Sequence, residues 1–265
     1  MKKLLIIGDS FVVAYGPNKE HSWVYKLKEH FLVTNLAVSG SGVYWSYQKF
    51  LEHYEKDYDL IIWAVSDPMR GYIPNTKTDI PTLSHFSPMY CDKQFLHQLM
   101  QKGEKIPPSN VLVYECLDSY YYVLDQKKEY TTASLMIEDA KRKKPDMLIL
   151  ACFGPYIKEH DSCKYSRPDL FNNEIALADL QFMEEDFWVK NQKISRKKLN
   201  KRLGHYDTRV CHLSIENNQM MYDKILGWTN TGEFTLTEDD WCEPYHHWKY
   251  YLKTEITDID IDDLR

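Results

Sequence analysis

The chain has 265 residues, of which 43% are hydrophobic and 27% charged, a composition typical of a globular protein with one sizeable core. Lysine and arginine total 33 against 39 aspartate and glutamate, and the resulting net charge of −6 argues against a nucleic-acid partner. No apolar run approaches the roughly 18 residues that a membrane-spanning helix needs, so we expect no membrane span.

The cysteines and the N-terminus bear on where the protein is found. The six cysteines are scattered and form no Cys-x-x-Cys pair, which indicates reduced thiols rather than a disulfide framework or a zinc site. The start of the chain imitates a signal peptide, but its apolar run, residues 4–7, is short and no small-residue cleavage site follows. We therefore expect no signal peptide and a reducing compartment such as the cytoplasm.

Apolar and amphipathic segments alternate over the first 65 residues. Residues 4–7, 33–38 and 59–65 have the apolar character of buried strands. Two helices are predicted between them, from the apolar stripes Trp23, Leu27, Phe31 and Val43, Tyr47, Leu51, Tyr54. Strands that alternate with helices predict βαβ units and an α/β fold with a central parallel sheet.

The rest of the chain is less regular. Helices are predicted at 109–124, 132–142, 174–190 and from Ile215 to Gly227, the last capped by Ser214, and a buried strand at 147–153. The stretch 190–202 holds seven basic residues and is either a solvated face or a contact for an anionic ligand. We expect one domain, 1–265, with a helical insertion at about 68–145 and an aromatic, acidic C-terminal extension at about 228–265.

Gly8-Asp9-Ser10 directly follows the first predicted strand. Ser10 is therefore expected at the carboxyl end of a central strand, where open α/β sheets bind their ligands. A serine in this position is a candidate nucleophile, and the alternative is a serine that only shapes a turn.

Two segments resemble the SGNH, or GDSL-type, hydrolase family. Gly8-Asp9-Ser10 resembles its first block, and NLAVSG at 35–40 is similar to its second. The resemblance implies a flavodoxin-like three-layer α/β/α fold with Ser10 as the nucleophile. It also implies that the N–H groups of Ser10 and Gly40 stabilise the oxyanion, with no metal or organic cofactor.

The segment Ala64-Val65-Ser66-Asp67 stands where the family has Gly-x-Asn-Asp. Ser66 thus replaces the asparagine that donates to the oxyanion, and its hydroxyl is the expected substitute, with a shorter reach. Arg70 is an alternative donor or a clamp for an anionic substrate group. Further candidate substrate contacts are Asp9, Asp67 and Arg209.

The final block is less complete. His212, in Cys211-His212-Leu213-Ser214 before the last helix, is similar to the family's histidine, which implies a general base; the alternative is a histidine that caps the helix or packs in a core. Arg209 occupies the family's aspartate position, and a cation there would lower the basicity of the imidazole. Asp207, five residues before His212, is the candidate third member of a triad, and a Ser-His dyad is the alternative.

Two functions are consistent with these residues. The first is a serine esterase that hydrolyses an O-acetyl group or another small acyl ester, with an acetylated glycan as the expected partner. The second is a weakened SGNH-like domain that binds a glycan or a protein without turnover. The chain also resembles, in style, SGNH-like proteins of phages, so a virion-associated location is an alternative to the cytoplasm.

Overall fold

The described part of the chain is built around a four-stranded parallel sheet with the strand order β2-β1-β3-β4. The computed structural model describes residues 1–14, 19–38, 41–68, 126–153, 167–178, 213, 215–240 and 242. The strands are β1 (Lys2–Gly8), β2 (Phe31–Asn35), β3 (Leu60–Val65) and β4 (Leu148–Ala151). The predicted α/β class and parallel sheet are confirmed.

Both faces of the sheet are covered, which explains why its strands are apolar almost throughout. Successive side chains of a strand point to opposite faces. Leu4 and Ile6 accordingly belong to one apolar cluster, and Leu5 and Ile7 to the other. All four side chains are fully buried.

Helices lie on both faces. They are α1 (Trp23–Lys26), α2 (Val43–His53), α3 (Gln126–Lys143) and α4 (Ile215–Thr231). Residues of α1 and α4 belong to the cluster that contains Leu4, here called the first cluster, and residues of α2 and α3 belong to the second. Short 3-10 turns lie at Ser10–Val12, Lys19–His21, Leu27–Glu29, Pro168–Leu170 and Glu238–Asp240. Within the described ranges, none of these helices has the length and apolarity to cross a membrane.

Two predicted helices have different bounds in the structure. The stripe Trp23, Leu27, Phe31 does not form one helix, because Phe31 pairs with Lys2 as the first residue of β2. The last helix passes the predicted end at Gly227 and continues to Thr231. Gly232, with φ of 77°, supplies the left-handed residue that ends it, and Gly227 is an ordinary helical position.

Other predicted elements are confirmed, with shifted ends. The helix predicted at 132–142 is α3, which starts earlier, and the helix predicted from Val43 is α2. Strands β2 and β4 are shorter than 33–38 and 147–153 at their carboxyl ends. The predicted helix at 109–124, most of 174–190 and the basic stretch 190–202 lie outside the described residues.

Two asparagines pair with the side of β4 that faces away from β3. The Ile149 N–H donates to Asn172 Oδ1 (2.8 Å), and the Ala151 N–H donates to Asn173 Oδ1 (2.8 Å). In return, the Asn172 N–H donates to the Ile149 carbonyl (2.9 Å) and Asn173 Nδ2 to the Ala151 carbonyl (3.0 Å). The segment around these asparagines therefore takes the place of a neighbouring strand.

Candidate active site

Glycine is required where β1 ends. Gly8 has φ of 143°, a backbone conformation that residues with a side chain rarely adopt. A Cβ atom there would also overlap the carbonyl oxygen of Ala64 on β3. The backbone therefore leaves the sheet in close contact with β3. The next two residues, Asp9 and Ser10, lie at the carboxyl edge of the sheet as predicted from the sequence.

Ser10 begins the 3-10 turn Ser10–Val12, and Asp9 caps it. Asp9 Oδ1 accepts a hydrogen bond from the Phe11 N–H (3.1 Å), and the Asp9 carbonyl accepts from the Val12 N–H (3.2 Å). Phe11 and Val12 are buried in the first cluster, while Ser10 keeps 7% of its surface exposed. In the chain, Ser10 thus lies between the buried Asp9 and the core residues Phe11 and Val12.

The carboxylate of Asp9 links the carboxyl ends of three strands. Its Oδ2 accepts from the Ser66 hydroxyl (3.0 Å), and the thiol of Cys152 lies 3.7 Å from Oδ1. Asp9, Ser66 and Cys152 each directly follow the last residue of a strand, β1, β3 and β4 respectively. All three residues are fully buried. Their contacts replace the hydrogen bonds to water that the Asp9 carboxylate loses on burial.

This geometry bears on two sequence expectations. Ser66 carries a single hydroxyl proton and donates it to Asp9, so donation to an oxyanion would require that hydroxyl to turn away. Asp9 has no solvent-facing surface from which to contact a substrate, whereas Asp67 is half-buried. Asp9 and Ser66 therefore bond to each other beside the Ser10 turn, which Asp9 caps.

The loop after β2 is fastened to the same turn. The Gly8 carbonyl accepts from the Val38 N–H (3.1 Å) and from the Ser41 hydroxyl (2.8 Å). Asn35 Nδ2 donates to the Val12 carbonyl (2.7 Å). These contacts hold Val38 and Ser41 against the end of β1 and Asn35 against the Ser10 turn, while Gly40 lies outside the described residues.

Helices α1 and α4 run side by side in the same direction. Trp23 contacts Asn218, Lys26 contacts Gln219, and His30, just beyond α1, contacts Tyr222. Residue numbers therefore increase in the same direction along both segments. The chain passes from the carboxyl end of β1 through α1 to the amino end of β2, so α1 begins near the carboxyl edge of the sheet. Consequently α4 also begins near the edge that carries Ser10.

Leu213 lies just before α4. Its carbonyl accepts a hydrogen bond from Asn218 Nδ2 (2.8 Å), and its side chain belongs to the first cluster, together with Phe11 and Val12. The remaining predicted site residues fall outside the described residues: Arg70, Asp207, Arg209 and His212. In the described part of the chain, no group of three His, Cys, Asp or Glu side chains is arranged to hold a metal ion.

The sequence did not single out Asn35, Ser41, Cys152 or Asn218, although each contacts the candidate site or its flanks. Three of these are polar residues at or soon after the end of a strand: Asn35, Ser41 and Cys152. That position is the one feature of the sequence that could have indicated a place near the site. Their partners lie 23, 33 and 143 residues away in the chain, so no local pattern predicts the pairing.

The described fold and site define an α/β protein with a serine turn at the carboxyl edge of a parallel sheet. No family model matches the chain, and no curated protein does. A solved structure of the psychrotrophic esterase EstA from Pseudoalteromonas sp., inhibited by monoethylphosphonate, aligns with 14% sequence identity over 87% of this chain and 100% of that chain. Its TM-score of 0.37 is too low to support a shared fold or function.

Proposed function

We propose that the protein is a serine hydrolase that cleaves a small acyl ester, with Ser10 as its nucleophile. One observation carries the proposal: the Ser10 turn and Leu213, the residue that follows His212, share the first cluster, and α4 begins near the edge that holds Ser10. This arrangement supports bringing a hydroxyl and an imidazole together although they are far apart in the chain.

In the proposed reaction, Ser10 Oγ attacks the ester carbonyl while His212 takes the hydroxyl proton. The tetrahedral intermediate collapses, His212 gives the proton to the leaving alcohol, and an acyl ester of Ser10 remains. Water, activated by His212, then hydrolyses that ester and releases the acid. Asp207 or a backbone carbonyl orients His212, and the N–H groups of Ser10 and Gly40 donate to the oxyanion.

An SGNH-like architecture is part of this proposal. The strand order β2-β1-β3-β4 is also the beginning of the flavodoxin-like order, in which ligands bind at the carboxyl edge. The motif around Ser10 and the resemblance at 35–40 support the same assignment. We take an O-acetyl group on a carbohydrate as the substrate class, on the strength of that resemblance.

The proposal is tested with p-nitrophenyl acetate and a fluorophosphonate probe. Wild-type protein should turn over the ester and be labelled, and Ser10→Ala should lose labelling and about 10³-fold or more in kcat/KM. Ser134→Ala is the matched control, because Ser134 is 8% exposed but lies on α3, on the other face of the sheet. A folded wild type that is neither labelled nor active would overturn the proposal.

A second candidate, a glycan-binding domain without turnover, is favoured by the bond between Ser66 and Asp9. That bond occupies an expected oxyanion donor, and loss of one such donor typically lowers kcat by about 10²–10³-fold. Retention on an immobilised acetylated oligosaccharide, with no acetate released, would support this candidate. Release of acetate that depends on Ser10 would exclude it.

A further inference from the structure

Asn218 joins two distant parts of the backbone through one side chain. Its Oδ1 accepts from the Trp23 N–H at the start of α1 (3.1 Å), and its Nδ2 donates to the Leu213 carbonyl (2.8 Å). The side chain is 3% exposed, and Trp23 is fully buried. The carbonyl so fixed belongs to the residue that directly follows His212.

We infer that Asn218 is a positioning residue for His212, an inference that rests on the proposed hydrolase function. Asn218 fastens the backbone beside His212 to the start of α1, and Trp23 and Leu213 pack in the first cluster with Phe11, which adjoins Ser10. A proton can pass between Ser10 and His212 only within hydrogen-bond reach. A displacement of about 1 Å at such a site can lower the rate about 100-fold.

The chemistry of the two partners explains why an amide occupies this position. One partner is an N–H donor and the other a carbonyl acceptor, and a carboxamide satisfies both from one planar group. In Asn218→Asp the carboxylate still accepts from Trp23, but it has no donor for Leu213. The substitution therefore removes the donation to the Leu213 carbonyl and keeps an acceptor for the Trp23 N–H.

Asn217, the preceding residue, provides a matched control. It is fully buried, its Oδ1 accepts from the Cys242 N–H (2.7 Å), and its Nδ2 donates to the Cys242 carbonyl (3.0 Å). Asn217→Asp therefore places a carboxylate in an equally buried position and breaks an equivalent donation to a carbonyl. It leaves the contact between Asn218 and Leu213 in place.

The experiment compares kcat and KM for p-nitrophenyl acetate, and the rate of fluorophosphonate labelling, in Asn218→Asp and Asn217→Asp at a temperature where circular dichroism shows both folded. We expect Asn218→Asp to lower kcat and the labelling rate about 10- to 100-fold with little change in KM. Asn217→Asp should stay within about threefold of wild type in kcat. Asn218→Ser and Asn217→Ser repeat the comparison without an added charge.

The outcomes separate this inference from the proposed function. An active wild type in which the Asn218 and Asn217 variants have equal kcat overturns the inference alone. A wild type that is inactive and unlabelled at Ser10 overturns the proposed function, and the role of Asn218 with it. If no Asn218 variant folds while both Asn217 variants do, Asn218 serves only to hold α1 against α4, and the inference is overturned.

Discussion

Asp9 shows how a single residue acquires a role that its motif does not specify. From the sequence it was a candidate substrate contact, but in the structure it is fully buried and receives hydrogen bonds from the Phe11 N–H and the Ser66 hydroxyl. Removing this acceptor takes a hydrogen-bond partner from the Phe11 N–H and from the Ser66 hydroxyl. The cost of leaving a buried donor unpaired is about 1–3 kcal/mol.

Asp9→Ala is therefore expected to lower the free energy of unfolding by about 2–4 kcal/mol. Ser66→Ala should cost about 1–2 kcal/mol in the wild type and less in the Asp9→Ala background, because the bond between Ser66 and Asp9 is already absent there. Urea denaturation of the two single variants and the double variant measures this coupling. A coupling energy near zero would contradict the structural role of the bond between Asp9 and Ser66. A raised KM with unchanged stability would indicate instead that Asp9 contacts the substrate.

At the scale of elements, α2 and α3 are connected by a polar contact at the rim of the second cluster. The Tyr47 hydroxyl donates to Asp139 Oδ2 (2.7 Å), and Lys143 donates to both oxygens of the same carboxylate. The hydrogen bond from Lys143 holds the pKa of Asp139 well below its usual value of 3.8. Burial, followed by the bond to Asp139, raises the pKa of Tyr47 to about 12.

Tyr47→Phe should therefore lower the free energy of unfolding by about 1 kcal/mol at neutral pH, because it removes the hydroxyl and keeps the ring beside Phe50 and Trp63. A lowered carboxyl pKa stabilises the fold above 3.8, and this contribution is lost as the pH falls through the folded-state pKa. A raised phenol pKa stabilises the fold below 10, and this contribution is lost as the pH rises towards about 12.

The difference between wild type and Tyr47→Phe should thus be constant between about pH 4 and 10 and shrink at both extremes. Urea midpoints at pH 3, 7 and 11 would measure it. Tyr54→Phe is the control, because the Tyr54 hydroxyl bonds only to its exposed neighbour Glu55 among the described residues. An equal loss of stability in both variants would contradict the role of the Tyr47 contact.

For the whole molecule, the sheet separates two apolar clusters that pack independently. Ile137 on α3 belongs to the second cluster and Ile225 on α4 to the first, and both are fully buried. Ile137→Val and Ile225→Val should each cost about 1 kcal/mol in stability. In the double variant the two losses should add to within about 0.5 kcal/mol, as measured by chemical denaturation. A larger coupling would show that the two faces share strain through the strands.

The α/β architecture was largely predictable, because strands that are buried on both faces consist of consecutive apolar residues, such as Leu4 to Ile7. The ends of the helices were less predictable. Phe31, for example, continues the apolar stripe of a helix, but in the structure it pairs with Lys2 in the sheet. Ser10 was placed correctly at the carboxyl edge from its position after β1. The partners of Ser66 and Asn218 were not predictable, because Asp9 and Trp23 lie 57 and 195 residues away.

The two asparagines beside β4 also bear on how the protein behaves at high concentration. A strand with unpaired N–H and C=O groups is a template for another chain, and such edges promote aggregation. Here Asn172 and Asn173 already occupy the N–H and C=O groups of Ile149 and Ala151. Polymerisation of one molecule onto another by strand addition is thereby blocked at Ile149 and Ala151 by the two side-chain amides and the backbone N–H of Asn172.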